Sequence, residues 1–180
     1  MNTIAFIGSR NLDLVPEAGR SLFEHVAEWA AREGLVLVTG AAPGADQLAA
    51  LTALNAGGRV GLYLPWGSFE RKFVESATIL WGARVQTVSE DGRWEKESIA
   101  LHPNPEALTH GARLLHARNY GIVEASDLVI ALPRPPEEGG TAQGIRIARH
   151  LGKPCFNFSL ANGRRDWMLF LCGSMVSNPS

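Results

Sequence analysis

The sequence lacks the features that mark secreted, membrane-spanning and metal-binding chains. Its two cysteines, Cys155 and Cys172, fit neither a disulfide framework nor a zinc-ligand spacing. No apolar run is long enough to span a membrane, and no signal-type segment precedes the first apolar strand. The five histidines do not cluster at the spacings of metal ligands. We therefore expect a protein of the reducing cytoplasm, with no membrane partner and neither a bound metal nor a cofactor.

Excess charge and the common nucleotide-binding signatures are missing as well. The formal net charge of -1 and the pI near 6.5 give no overall basic field, so any binding to nucleic acid would depend on a local basic patch. No Gly-x-x-x-x-Gly-Lys-Ser/Thr segment is present, which disfavours a P-loop NTPase. No Gly-x-Gly-x-x-Gly follows the first strand, which disfavours an ordinary dinucleotide dehydrogenase.

What is present is an alternation of short apolar runs with segments of helical period. With 180 residues, of which 46% are hydrophobic, the chain predicts one domain over residues 1–180. The alternation predicts an α/β, Rossmann-like, doubly wound fold, with a mainly parallel sheet and helices on both faces. The predicted strands are 3–7, 35–39, 60–64, 128–132 and 154–158, with a short edge strand at 84–88. The predicted helices are 14–34, 46–56, 69–79, 110–125 and 141–151.

Two segments lack a clear period. Residues 91–105 carry charges, a tryptophan and two prolines, and we interpret them as an irregular insertion that helps to cover the site. Residues 159–180 are interpreted as a C-terminal extension with a final helical turn or two around Trp167.

Glycine-rich loops follow several of the predicted strands. In a sheet of this type, ligands bind at the carboxyl ends of the strands, where the strand order reverses. Glycines at a helix start allow unpaired backbone N–H groups to bind an anion such as a nucleotide phosphate. The loop residues predicted to form this site are Gly8, Ser9, Arg10, Gly40, Gly44, Asp46, Gly139, Gly140 and Thr141.

Each of these loops also has a purely structural interpretation. Asp46 either caps its helix or binds a ribose hydroxyl, and capping is the commoner role of such a residue. Residues 139–141 place a capping hydroxyl at a helix start, which fits both a phosphate site and a tight strand-to-helix turn. Trp66 either stacks on a base or covers the core. His116 has no serine or cysteine partner at a suitable position, so a catalytic triad is not predicted.

Arg118, next to Asn119, is the strongest indication of a ligand. Leu114, Arg118 and Ile122 share one stripe of the predicted helix, and an arginine on an apolar stripe must find an acceptor. That acceptor is either a carboxylate of the protein, Asp46 or Asp127, or a phosphate or carboxylate of a ligand.

Four motifs together resemble the superfamily that joins the DNA-processing protein DprA (Smf) to the LOG, or lysine-decarboxylase-like, proteins. Gly8-Ser9-Arg10, the 39–46 loop with Gly44 and Asp46, and Arg118-Asn119 are similar to DprA, and the run from Ala131 to Thr141 is closer to LOG proteins. The resemblance covers most of residues 3–158. It implies a Rossmann-like sheet, a tendency to form homodimers, and a nucleotide, a nucleotide derivative or single-stranded DNA as the ligand.

One departure from this family bears on catalysis. LOG phosphoribohydrolases carry a catalytic glutamate three residues after the Gly-Thr pair, and this chain has Gly144 there. Hydrolysis would then need a substitute among Asp46, Glu124, Glu137 and Glu138. We therefore assign no catalytic residue and expect a protein that binds a nucleotide-like ligand. The alternatives are binding of single-stranded DNA, as in DprA, and hydrolysis with a non-standard acid.

Overall fold

The computed structural model describes residues 1–88 and 92–176, and its centre is a parallel sheet of six strands within those ranges. The strands are β1 (Thr3–Gly8), β2 (Val36–Thr39), β3 (Arg59–Leu64), β4 (Arg84–Thr87), β5 (Leu128–Leu132) and β6 (Cys155–Asn157). Their order is β4-β3-β2-β1-β5-β6, and every pairing is parallel. The order reverses between β1 and β5. The predicted fold class is confirmed, and β4 lies at an edge as predicted.

The central strands are buried on both faces, which explains their continuous apolar sequences. Side chains along β1 alternate: Ile4 and Phe6 enter one core, whereas Ala5 and Ile7 enter the other. Residues of β5 alternate in the same way, and all five are buried. The two strands that flank the reversal point are thus held by core packing on both faces of the sheet.

Helices cover both faces of the sheet. They are α1 (Glu17–Arg32), α2 (Ala45–Asn55), α3 (Arg71–Trp81), α4 (Arg93–Ala100), α5 (His110–Glu124), α6 (Gly139–His150) and α7 (Ala161–Val176). Residues of α1, α2, α3 and α7 enter one core, and residues of α4, α5 and α6 enter the other. None of the helices within residues 1–88 and 92–176 combines the length and the apolar character of a membrane span.

The helix α2 is packed closely into its core. Its residues Ala45, Ala49 and Ala53 are fully buried, and such small side chains allow the helix to approach α1 and the sheet. The chain that leads from β2 into α2 carries part of the predicted site. That segment is therefore held by a tightly packed core.

The prediction of an irregular insertion at 91–105 is wrong over most of its length. Residues Arg93–Ala100 form α4, which packs against α5, and a short 3₁₀ turn follows at Pro105–Ala107. The buried face of α4 is hard to recognise because its central position is Ser98, which is fully buried and donates a hydrogen bond to the His116 carbonyl at 2.9 Å. Residue 91 lies outside the described ranges.

Two helix boundaries also differ from the prediction. The helix α6 begins at Gly139, two residues earlier than expected, so Thr141 lies inside its first turn and is not its N-cap. The extension at 159–180 contains a 16-residue helix, α7, and not just a turn or two. Trp167 explains the difference, because it is 1% exposed and packs among Trp29, Phe156 and Phe158.

Candidate anion-binding site

A cavity of about 550 Å³ opens at the carboxyl ends of β1 and β5, where the strand order reverses. Its walls are the loop after β1, the start of α2, one face of α5, and the segment that joins β5 to α6. All the predicted site residues except Gly40 and Gly44 line this cavity. The sequence therefore identified which loops meet, although the role of each residue depends on its contacts.

Arg118 is buried at the base of the cavity. Its side chain is 5% exposed, and its Nη1 donates a hydrogen bond to Asp46 Oδ2 at 3.2 Å. The guanidinium also lies over the ring of Phe69, 5.7 Å from the centroid. Of the two carboxylates considered as partners, Asp46 is the one paired with Arg118, whereas Asp127 accepts the backbone N–H groups of Asn2 and Thr3.

Most donors of Arg118 have no acceptor among the described residues. A guanidinium has five N–H groups, and the described part of the chain accepts one hydrogen bond from it. Its Nε is buried and has no hydrogen-bond partner among the described residues. A buried donor without a partner costs about 1–3 kcal/mol, and more when it is charged.

Burial and the partner's charge shift the pKa values of Arg118 and Asp46 in opposite directions. Burial raises the pKa of Asp46, while the guanidinium of Arg118 and the N–H groups of Ala42 and Gly8 oppose the rise. Burial lowers the pKa of Arg118, and the carboxylate of Asp46 opposes that change. An arginine keeps its proton throughout the pH range in which proteins are stable. Each charge of this buried pair is therefore stabilised by the charge of its partner.

The cavity as a whole is basic. Three arginines line it, Arg10, Arg118 and Arg134, against two carboxylates, Asp46 and Glu138. Arg118 pairs with Asp46, and Arg134 forms a 3.4 Å ion pair with Glu138. Arg10 is exposed at the rim and has no ion pair or hydrogen bond from its side chain to the described residues. Its charge is therefore available to an anion.

The N-terminus of α6 faces the same cavity. Gly139, Gly140 and Thr141 form its first turn, and the side chain of the preceding residue, Glu138, does not cap it. The first N–H groups of a helix have no acceptor within the helix, and the helix dipole adds partial positive charge there. The backbone N–H groups of this turn could therefore bind an anion.

Two of the predicted ligand contacts are occupied within the protein. The Ser9 hydroxyl donates to the Asn11 carbonyl at 2.8 Å and accepts from the Asn11 N–H at 3.1 Å. The Asn119 amide donates to the Gly140 carbonyl at 2.9 Å. Ser9 thus shapes the loop after β1, and Asn119 holds the first turn of α6 against α5.

The two predicted glycines outside the cavity make room for its walls. A Cβ on Gly40 would lie 1.2 Å from Nη1 of Arg118, so this position must be glycine for the guanidinium to reach Asp46. A Cβ on Gly44 would lie 2.4 Å from the Ser9 carbonyl oxygen. Trp66 is 38% exposed and packs edge-on against Phe69, outside the cavity lining.

His116 lines the cavity, although it was not among the predicted site residues. It is 8% exposed, and its Nδ1 has no hydrogen-bond partner within the described part of the chain. Burial, reinforced by the neighbouring charges of His102, Arg146 and Arg118, lowers the pKa of His116 to about 4. It is therefore neutral at pH 7. Its position one helical turn before Asn119 was the signal that could have identified it.

Gly144 occupies the position at which LOG proteins carry their catalytic glutamate, and it has no room for a side chain. Gly144 packs on β1, and a Cβ there would lie 2.4 Å from Cδ1 of Ile7. Each of the carboxylates considered as a substitute is engaged elsewhere. Asp46 pairs with Arg118, Glu138 with Arg134, Glu124 with Arg93 and Trp94, and Glu137 with Asn157.

Comparison with known structures identifies proteins that share this fold. The DNA processing protein A of Helicobacter pylori, described with its single-stranded DNA binding mode, matches with a TM-score of 0.62 and 20% identity over 87% of this chain and 64% of that one. DprA from Streptococcus pneumoniae matches with a TM-score of 0.64 and 20% identity over 94% of this chain and 56% of that one. The molybdenum cofactor binding protein of Rippkaea orientalis matches with a TM-score of 0.56 and 22% identity over 86% of this chain and 74% of that one.

At these identities the comparisons establish the fold. The chain has the Rossmann-like fold of DprA and of the molybdenum cofactor binding protein, which confirms the fold that the sequence resemblance implied. It spans less than two thirds of the length of either DprA structure. A comparison of the sequence with protein-family models gives no match, and a comparison with curated proteins gives no significant match.

Proposed function

We propose that this chain binds a nucleotide or a nucleotide-derived ligand in the cavity at the carboxyl ends of β1 and β5. The ligand's phosphate lies against the first turn of α6 and is approached by Arg10 from the rim. Arg118 offers its unused donors from the base of the cavity, and Asn119 and Ser9 keep the surrounding loops in place. Asp46 orients Arg118 and partly neutralises the positive charge of the cavity when no ligand is bound.

One observation carries this proposal: the uncapped start of α6 and a buried, under-bonded arginine line the same cavity. Each feature alone has a structural explanation. Together they offer an anion both backbone and side-chain donors in a space from which most water would be displaced, and charge-assisted hydrogen bonds are strongest in such surroundings.

Calorimetric titration tests the proposal with inorganic phosphate and the four common nucleoside 5′-monophosphates as probes. Arg10→Ala should weaken the binding of each probe because it removes an unpaired charge at the rim. Arg84→Ala is the matched control, since it removes an exposed arginine from β4, at the far edge of the sheet. Equal affinities of the two variants, or no binding of any probe to the unaltered protein, would contradict the proposal.

Arg118→Ala is expected to lower ligand affinity by about 1.5–3 kcal/mol, the scale of a hydrogen bond to a charged group. The measurement requires conditions in which the variant is folded, verified by circular dichroism. An unchanged affinity in the folded variant would assign Arg118 to structure alone.

Binding of single-stranded DNA is the second candidate function. The fold match to a DprA protein described by its single-stranded DNA binding mode favours it, as do Arg10 and Arg134 at the exposed rim of the cavity. The salt dependence of binding distinguishes the two candidate functions. DNA held through several phosphates dissociates steeply as salt rises, whereas a single small ligand is much less sensitive. A titration with an oligonucleotide and a mononucleotide at 50 and 200 mM salt distinguishes them.

Hydrolysis of a nucleoside monophosphate is the least supported alternative, because each candidate carboxylate is already paired. Release of free base by the unaltered protein, abolished in Arg118→Ala, would establish it. A native mass spectrum of freshly purified protein adds two results at once. It reports any retained ligand, and it tests the homodimer that the family resemblance leads us to expect.

A further inference from the structure

The cavity has two chemically different ends, and α5 runs between them. At one end Asn119 holds the first turn of α6, where the anion donors lie. Seven residues earlier, at a rise of about 1.5 Å per residue, Ala112 lies roughly 10 Å away along the helix. Ala112 is apolar, and Leu14 and Leu115 are further apolar residues of the cavity lining. A ligand that fills the cavity would therefore be anionic at one end and would present an apolar face at the other.

His116 lies between these two ends. It is one turn of α5 from Asn119 and one turn from Ala112, so its ring borders the middle of the cavity. The residue is more than nine-tenths buried, and its Nδ1 has no partner among the described residues. Because burial keeps the pKa of His116 near 4, the ring is neutral at pH 7 and carries one donor and one acceptor nitrogen.

We propose that His116 is a specificity-determining residue that hydrogen-bonds the uncharged part of the ligand, while Leu14, Ala112 and Leu115 cover its apolar face. The ligand class is then a phosphate ester of a group that carries a flat ring with polar atoms at its edge. This inference rests on the proposed function and adds to it the recognition of the part beyond the phosphate. A neutral imidazole suits this role because it discriminates by hydrogen-bond geometry and adds no charge to attract phosphate.

The competing explanation is that His116 only packs against α4. Its ring centroid is 4.9 Å from that of His102, which follows α4, and its carbonyl accepts from Ser98. His102 does not line the cavity. If packing were the whole role of His116, loss of either ring would have similar consequences, and neither would change the preference of the protein for one probe over another.

The experiment compares His116→Leu, His116→Gln and the control His102→Leu. Each variant is titrated with inorganic phosphate and with the nucleoside 5′-monophosphate that binds the unaltered protein most tightly. We expect His116→Leu to weaken nucleotide binding by about three- to tenfold, the scale of a neutral hydrogen bond, and to leave phosphate binding within about twofold. His116→Gln, which keeps a donor and an acceptor, should retain more nucleotide affinity than His116→Leu, and His102→Leu should retain most of it.

Several outcomes would overturn the inference. These are equal losses in His116→Leu and His102→Leu, a parallel loss of phosphate and nucleotide binding, and unchanged nucleotide binding in both His116 variants. If His116→Leu does not fold, the comparison of His116→Gln with His102→Leu still decides. If the unaltered protein binds phosphate but gains nothing from the nucleoside, the inference fails and the proposed function stands. If it binds no probe, both fail.

Discussion

The guanidinium of Arg118 occupies the space that a side chain on Gly40 would need, with Nη1 only 1.2 Å from the position of a Cβ. The backbone at Gly40, directly after β2, thereby leaves room for Arg118 to reach Asp46. Gly40, one of the glycines predicted to form the site, thus makes room for a side chain of the protein.

Gly40→Ala should therefore displace Arg118 and leave Asp46 buried without its partner. We expect a loss of about 3–5 kcal/mol in the free energy of unfolding, the usual cost of breaking a buried ion pair. Urea denaturation measures it. The same substitution made in an Arg118→Ala background should cost less, because the clash with the guanidinium is gone and only the 2.7 Å approach to Oδ2 of Asp46 remains. An equal cost in both backgrounds would contradict the steric argument.

The pair itself can be tested by a double-mutant cycle. Asp46→Asn and Arg118→Met should each destabilise the protein by about 3–5 kcal/mol, and the double variant should lose less than the sum of the two. The exposed pair Arg20–Glu24, also at 3.2 Å, is the control, and its removal should cost about 0.5 kcal/mol or less. Additive effects at Asp46 and Arg118 would show that the two side chains do not depend on each other.

Two glycines on α5 provide a matched test of how α4 packs. A Cβ on Gly121 would lie 2.6 to 2.8 Å from ring atoms of Trp94, whereas a Cβ on Gly111 meets nothing within 4 Å. Gly121→Ala should push Trp94 outwards and cost about 1–3 kcal/mol, as overpacking usually does. Gly111→Ala should be neutral or stabilising by up to about 1 kcal/mol. Thermal unfolding of both variants distinguishes them, and similar shifts in the two would contradict the prediction.

His116 should make stability depend on pH. Its pKa is about 4 in the folded protein and 6.5 in the unfolded chain, so the unfolded chain binds more protons between these values. The free energy of unfolding should thus fall as the pH falls from about 6.5 to about 4. The slope from this residue should be at most about 1.4 kcal/mol per pH unit.

His116→Gln should reduce this decline, and the exposed His110 provides the matched control in His110→Gln. Urea midpoints measured every half pH unit would test the difference. A variant His116→Gln whose stability falls as steeply as that of the unaltered protein would contradict the assignment.

The elements that the sequence predicted well are those with a simple pattern of apolar residues. β1 and β5 are continuous apolar runs buried on both faces, and the loops that follow them meet where parallel strands must bring them. The helix α4 was missed because a serine occupies the centre of its buried face. Ser98 fits there because its hydroxyl finds the His116 carbonyl, a contact that depends on tertiary structure.

The candidate site was predicted as a set of residues but not as a set of roles. Composition and spacing place Ser9, Asn119 and Arg118 at the same edge, yet they do not reveal which donors the protein uses itself. Ser9 binds its own loop, and Asn119 binds the start of α6. His116 was not predicted as a site residue because it has no motif around it. It is recognised in the structure by its burial and by an Nδ1 that has no partner among the described residues.

The two sides of the cavity differ in how deeply their residues are buried. The segment that enters α2 is anchored by fully buried alanines, whereas residues 134–140 on the opposite side are exposed throughout. We expect a ligand to enter and leave past residues 134–138, the exposed segment that precedes α6. A covalent restraint on that segment should therefore slow both association and dissociation.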